Sequence, residues 1–189
     1  MKLIFVAGSW GSGSTAVMSA LNGLGVPMFG PHFQSNDPKT KNTFELIPFR
    51  KLILKYTNHS TLTHKENYHN EFQPALYKFR LQLQNLRWPQ AEDNTKKTFA
   101  LKMPLASICL PEICNTFETK IIVIHRPFSE IEASRIRRNW PRLYGSFGAE
   151  KIYSIIFKDV INHKLSFLAV SHNDLITSTP LTLEKMIEF

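Results

Sequence analysis

Between Gly8 and Thr15 the chain reads GSWGSGST. Three glycines there can bring successive backbone N–H groups toward one anion, and Ser14 or Thr15 can open a helix whose N-terminus favours negative charge. The spacing fits the phosphate-loop template G-x-x-x-x-G-K-[ST] at every defined position except one, because Ser14 stands where the lysine belongs. A kinase or triphosphatase puts that lysine on the β/γ-phosphates and holds magnesium through the loop hydroxyl and an acid at a strand end. Here the strand-like runs end in Lys102 and His125. The loop therefore points to an anion whose charge is met by other residues.

The elements that must position this loop follow from hydrophobic periodicity. Lys2–Val6 is β-branched and aromatic, a buried strand; AVMSALNGLGV after the loop has helical spacing and stops at Gly23–Gly25. Val26–Phe29 is a short extended piece before a turn-rich segment. TFELIPFRKLILKY (43–56) predicts a helix beginning near Thr43, kinked or restarted at Pro48, with Glu45 in its first turn. Residues 57–73 are polar without a period, Pro74–Trp88 predicts an amphipathic helix with Leu76, Phe79, Leu83 and Leu86 on one face, and Gln90–Lys97 is a charged linker. The second half alternates: strand Thr98–Lys102, helix Leu105–Asn115, strand Lys120–His125, a helix opened by Pro127 and running to about Trp140, helix Phe147–His163, strand Leu165–Val170 and helix Pro180–Phe189. Strands separated by helices make a parallel sheet, and ligands of such sheets bind outside the carboxyl ends of the strands. The fold expected is α/β: a three-layer P-loop NTPase-like fold, one domain over 1–189, with 57–97 as a polar, helical insertion on the acceptor side. The loop, Lys102 and Arg126 all fall at the binding edge.

The 189 residues carry 43% hydrophobic and 12% aromatic content, enough for a core, and a formal charge of +8 that suits anionic partners. Cys109 and Cys114 lie five apart on one expected helix, which argues against a disulfide framework or a metal site and for a reducing compartment. His59, His64 and His69 are also spaced by five, so a helix would not gather them on a metal. The apolar run before Gly8 is too short for a signal segment, no stretch reaches the roughly 18 apolar residues of a membrane span, and a cytoplasmic protein is expected. Arg135, Arg137, Arg138 and Arg142 form a basic run that reads as a solvated helix face or as a contact to an acidic ligand; without aromatic interleaving or a recognition helix, specific nucleic-acid binding is not expected.

Several stretches in order, GSWGSGST, LGVPMFG, TFE, LKMP, IIVIHRPFSEIEASRIRR and AVSHNDLITSTPLTLEKMIEF, resemble the bacterial-type sulfotransferases over nearly the whole chain, 57–97 excepted. The resemblance implies an enzyme that transfers a sulfuryl group from 3′-phosphoadenosine 5′-phosphosulfate to a hydroxyl or amine, with a carbohydrate or small-molecule acceptor ahead of a protein, and no metal. It implies that Ser9, Trp10, Gly11, Ser12, Gly13, Ser14 and Thr15 hold the 5′-phosphosulfate and that Arg126 and Ser134, eight residues apart, hold the 3′-phosphate. It makes Lys102, in the family's K-x-P pattern, a catalytic residue on the bridging oxygen, and Glu45 the general base, because Pro104 occupies the place where related small-molecule enzymes have a histidine. Where the family has a basic residue before the S-G of the loop, this chain has Gly11.

The residues read by themselves agree and have plainer counterparts. Arg126 at a strand tip can fork onto a phosphate with Ser134 two turns into the next helix, or can be a solvated end-cap. Lys102 can place a point charge where negative charge grows, or can snorkel from a sheet edge. Glu45 can accept a proton, or can be an acid favoured by a helix N-terminus. Two alternatives stay open: a small-molecule or nucleotide kinase using ATP and magnesium, and a degenerate nucleotide-binding module without turnover, since Gly11 leaves the loop with no basic side chain.

Overall fold

The computed structural model describes residues 1–37, 40–86 and 98–189. Its centre is β1 (Lys2–Ala7), whose alternating side chains serve two cores: Leu3, Phe5 and Ala7 on one face, Val6 with Ile4 on the other. β6 (Thr98–Lys102) and β7 (Glu118–His125) flank it in parallel, and β8 (Phe167–Ser171) pairs with β7, giving the order β6-β1-β7-β8. Apolar side chains on both faces require helices on both, and the chain is a three-layer α/β fold around a parallel four-stranded sheet. α1 (Ser14–Gly23), α7 (His172–Thr177) and α8 (Thr179–Glu188) cover one face through Val17, Met18, Leu21, Leu175 and Met186. α2 (Ile47–Tyr56), α3 (Tyr68–Gln84), α4 (Leu110–Thr116), α5 (Phe128–Arg137) and α6 (Ser146–Asn162) contribute to the other.

The departures from the periodicity reading have local causes. The helix expected from Thr43 begins at Ile47, with Pro48 in its first turn, where a missing N–H costs nothing. Asn42–Leu46 is instead β3, paired antiparallel with β2 (His32–Gln34), so Glu45 is a strand residue and not a first-turn acid. Val26–Phe29 forms no strand, yet the Pro27 carbonyl accepts the Ala100 N–H at 3.2 Å and so covers part of the β6 edge. Residues 57–73 contain a two-residue hairpin, β4 (Thr57–Asn58) with β5 (Thr63–His64), and α3 begins six residues before Pro74, which lies inside it. Leu76, Phe79 and Leu83 are buried on α3 as the spacing predicts, whereas Leu86 lies beyond the helix and is 47% exposed. The expected helix 105–115 divides into a 3-10 segment, Pro104–Cys109, and α4; Pro111 at the start of α4 forces the break. Cys109 is buried and Cys114 half-buried, both free thiols. The short helix α7 follows β8 directly and escaped the periodicity reading. The linker 90–97 and residues 87–89 lie outside the described residues, and no helix among the described residues is long and apolar enough to cross a membrane.

Candidate functional site

Loop shape comes first. Ser9 and Ser12, 1% and 0% exposed, face inward: the Ser12 hydroxyl donates to the Ser9 carbonyl at 2.7 Å. They set the loop and do not line the cavity above it. Below it, Ser107 accepts the Gly8 N–H at 3.1 Å and the Tyr153 hydroxyl donates to the Ile124 carbonyl at 2.7 Å, tying α6 and the 3-10 segment to the strand tips. Gly11 and Gly13 have φ of +74° and +98°, a region that disfavours side chains. A Cβ at Gly13 would also run into the ring of His172. Gly13 is the N-cap of α1, which has no side-chain cap and no acid in its first turn, so its leading N–H groups suit an anion.

Sheet order supplies the charges. β6 and β7 lie on opposite sides of β1, so Lys102 and Arg126 flank the loop from two sides. Lys102 is 4% exposed, with Nζ 3.2 Å from Thr15 Oγ1, 3.4 Å from Ser14 Oγ and 3.7 Å from Glu45 Oε1. An ammonium therefore reaches the start of α1 from a neighbouring strand although the loop has no lysine. Burial pushes the Lys102 amine below its ordinary pKa of 10.5, and Glu45 opposes that shift. Glu45 is itself buried and is held on its other oxygen by Arg50 Nε at 3.4 Å. Its aim depends on an irregularity in the hairpin. His32 pairs with Leu46 and Gln34 with Asn42, leaving three residues opposite one, and Phe44 takes φ +57° within that bulge.

Arg126 donates from Nη1 to Ser134 Oγ at 3.2 Å and to the Gly11 carbonyl at 3.4 Å, and from Nε to Glu130 at 2.7 Å. The eight-residue spacing does bring Arg126 and Ser134 together beside the loop. The helix that carries Ser134, α5, is pinned by Glu132, whose carboxylate accepts the Ser146 N–H at 3.0 Å and Arg135 Nε–H at 2.8 Å; these bonds hold its pKa below the usual carboxylate range. The basic run is split by partners. Arg137 and Arg138 face the cavity, Arg138 paired with Asp37 at 2.6 Å and Arg137 with the same oxygen at 3.9 Å, whereas Arg135 is bound to Glu132 and Arg142 lies over the Phe147 ring. His64 and His69 come closer than their spacing suggests, with ring centroids 6.2 Å apart against Tyr68. No group of three metal-binding side chains forms among the described residues.

These groups surround one cavity of about 880 Å³, bounded by the loop, the β2–β3 hairpin and residues 126–144. Trp10, Gly11, Gly13, Ser14, Thr15, Glu45, Lys102, Arg126 and Ser134 all line it; the described residues of 57–86 do not. Periodicity missed Arg50, Asp37, Tyr144 and His172. His172 lies at the start of α7, and burial followed by Arg126 pushes its pKa below 6.5. It stands in the quoted AVSHNDLITSTP stretch, which was a signal, but nothing in local spacing places it against Gly13.

The carboxylates that line the cavity, Asp37 and Glu45, are each committed to two cations. The arrangement can hold two anionic groups on either side of the loop and present one carboxylate to a third molecule. No protein-family model and no curated protein matches the chain. Among solved structures it is similar to deoxyadenosine kinase from M. mycoides with bound dATP, at 13% identity and TM-score 0.48 over 98% of this chain and 99% of that one. The same enzyme with bound dCTP gives 14% identity and TM-score 0.44 over the full length of both. Identity this low transfers no residue role.

Proposed function

We propose that the cavity is a nucleotide-dependent group-transfer site and that the group is a sulfuryl, moved from 3′-phosphoadenosine 5′-phosphosulfate to a hydroxyl or amine. The observation that carries this reading is the pair of anion sites flanking the loop: Lys102 with the start of α1 on one side, Arg126 with Ser134 on the other. A donor with phosphates at two separate positions of its ribose needs both. In the proposed step the acceptor oxygen attacks sulfur in line and the bond from sulfur to the bridging oxygen breaks. The acceptor proton passes to Glu45, and adenosine 3′,5′-bisphosphate leaves. Lys102 meets the charge that grows on the bridging oxygen, where a preorganised cation in a dry site acts most strongly. As that charge draws Lys102, Glu45 gives up part of one ion pair and gains basicity.

Phosphoryl transfer from ATP is the second reading, favoured by one contact: Lys102 Nζ and the Thr15 hydroxyl, 3.2 Å apart, could together serve a triphosphate. Calorimetric titration separates the two. Adenosine 3′,5′-bisphosphate binding that weakens in Arg126→Ala, with ATP and magnesium much poorer, supports sulfuryl transfer and justifies an acceptor screen. ATP binding more tightly and depending on magnesium transfers the site to the kinase reading, and affinity for neither ligand leaves a degenerate module.

A further inference from the structure

The outer edge of β8 is bare. This strand pairs with β7 alone, and among the described residues no other segment bonds to its backbone. Exposed edges are ordinarily blunted by proline, lysine or another charge. FLAVS has none of these, whereas at the opposite edge of the sheet the Pro27 carbonyl takes the Ala100 N–H and β6 ends in Lys102. Along β8, Leu168 and Val170 join the core beneath α1 and α8, and Phe167 and Ala169 point to the α6 side. Ala169 is exposed, so no helix covers the strand there. The neighbouring flank of α6 is apolar. Phe157 meets Phe167 with ring centroids 6.1 Å apart, Ile161 lies one turn further along, and Phe128 stacks at 6.1 Å on Tyr153, one turn back. Phe128, Phe157 and Ile161 are 45%, 42% and 73% exposed, which leaves about 300 Å² of apolar surface beside the open strand.

We infer that a second copy of the chain covers this face, β8 pairing antiparallel with its counterpart about a two-fold axis at Ala169. Two four-stranded sheets then become one continuous sheet. The strand is suited to pair with itself: Ala169 meets Ala169 at the axis and Leu168 meets Val170, so each cross-strand pair on the α1 side is apolar. The axis stands perpendicular to the sheet, which sets both α6 helices on one side, their Phe157 and Ile161 flanks facing each other across the paired strands. Phe128, Phe157 and Ile161 of both copies supply about 600 Å², and the two five-residue edges add a similar area, reaching roughly the 1,200 Å² at which specific interfaces begin. A copy docked head to tail would need the β6 edge, which Pro27 partly occupies, so assembly closes at two. The dimer requires neither the donor nor the acceptor of the cavity.

Sedimentation equilibrium on the full chain, over about 1–100 µM, tests for the dimer. The mean mass should climb from the 21.8 kDa of one chain toward twice that value and stop there, with a midpoint of micromolar order, as fits an interface of the smallest specific size. Each chain carries a charge of +8, so raising salt from about 0.05 to about 0.5 M should tighten the dimer. Ala169→Lys sets two like charges face to face at the axis, and Ile161→Glu places a carboxylate on the exposed helix flank; each should weaken the dimer by about tenfold or more. Tyr77→Lys, at an exposed apolar position on α3, should leave it unchanged, with circular dichroism confirming that every variant is folded. Ala169→Cys should give a disulfide-linked dimer on mild oxidation, beyond any formed by the wild-type thiols. A monomer at every concentration, growth past two copies, a dimer that survives both Ala169→Lys and Ile161→Glu, or absence of the Ala169→Cys crosslink overturns the proposal.

Discussion

Replacing Lys102 with methionine keeps the volume of the side chain and removes its charge. Its ammonium reaches the start of α1 at 3.2 Å from Thr15 and 3.4 Å from Ser14, so an anion seated on those groups comes within about 4 Å of it. At an effective dielectric of about 20, a unit charge at that distance is worth about 4 kcal/mol. Lys102 gives up part of its attraction to Glu45 when it turns to the anion, so roughly half of that remains, about 2 kcal/mol or a 30-fold loss of affinity. Calorimetry with adenosine 3′,5′-bisphosphate reads this directly. A second readout follows from protonation. Burial holds the Lys102 pKa below 10.5, and a bound anion raises it again, so the wild type should take up protons on binding at a pH between the depressed and the restored pKa; buffers of different ionisation enthalpy reveal this. For the unliganded fold the sign is opposite. The native state sheds this proton before the unfolded chain does, so stability rises with pH between the depressed pKa and 10.5, and the methionine variant should lose that slope. Bisphosphate binding within about threefold of wild type, with proton uptake intact, would refute the assignment of Lys102 to the anion.

Arg126→Ala should weaken adenosine 3′,5′-bisphosphate by roughly 10- to 100-fold, the worth of a charge-assisted phosphate contact, while leaving adenosine 5′-phosphosulfate little changed in the same titration. Glu45→Gln should tighten bisphosphate binding, because it removes the anion that competes for Lys102, yet lower turnover on a bound acceptor by about 10²- to 10⁴-fold in a radiolabelled sulfate assay. Gly13→Ala forces a side chain into a φ of +98° and against His172; thermal denaturation should show a loss of about 2 kcal/mol, or roughly 4–8 °C in midpoint. The native state resists protonating His172, so stability should hold above pH 6.5 and fall as pH drops below it, a dependence that denaturant titrations should find flattened in His172→Gln.

Much of the site was legible because it sits at the ends of strongly patterned elements. The loop glycines, the strand ending in Lys102 and the Arg126–Ser134 spacing are local features, and each lies where its local pattern puts it. Glu45 shows where that reading stops. TFELIPFRKLILKY is apolar at helical intervals from its start, so Thr43–Leu46 looked helical. Pairing with His32–Gln34 made it a bulged strand instead, since backbone bonds to a distant partner outweigh a propensity worth tenths of a kcal/mol per residue. Of the 57–97 segment, expected to shape the acceptor cleft, the described residues 57–86 pack on α2 and α4 through Phe72, Leu76 and Phe79.

The sequence by itself determined the alternation of strands and helices, the phosphate-type loop, and the absence of a lysine within it, because periodicity and glycine chemistry act over a few residues. Only the tertiary structure decided which side chains surround that loop. The order β6-β1-β7 sets Lys102 and Arg126 on either side of the loop, the hairpin bulge brings Glu45 to Lys102 with Arg50 behind it, and a cavity forms in which Trp10 meets Tyr144. These contacts join residues separated by up to about 130 positions, and they are fixed by which strands pair and which faces must be buried, which no local window of the chain records.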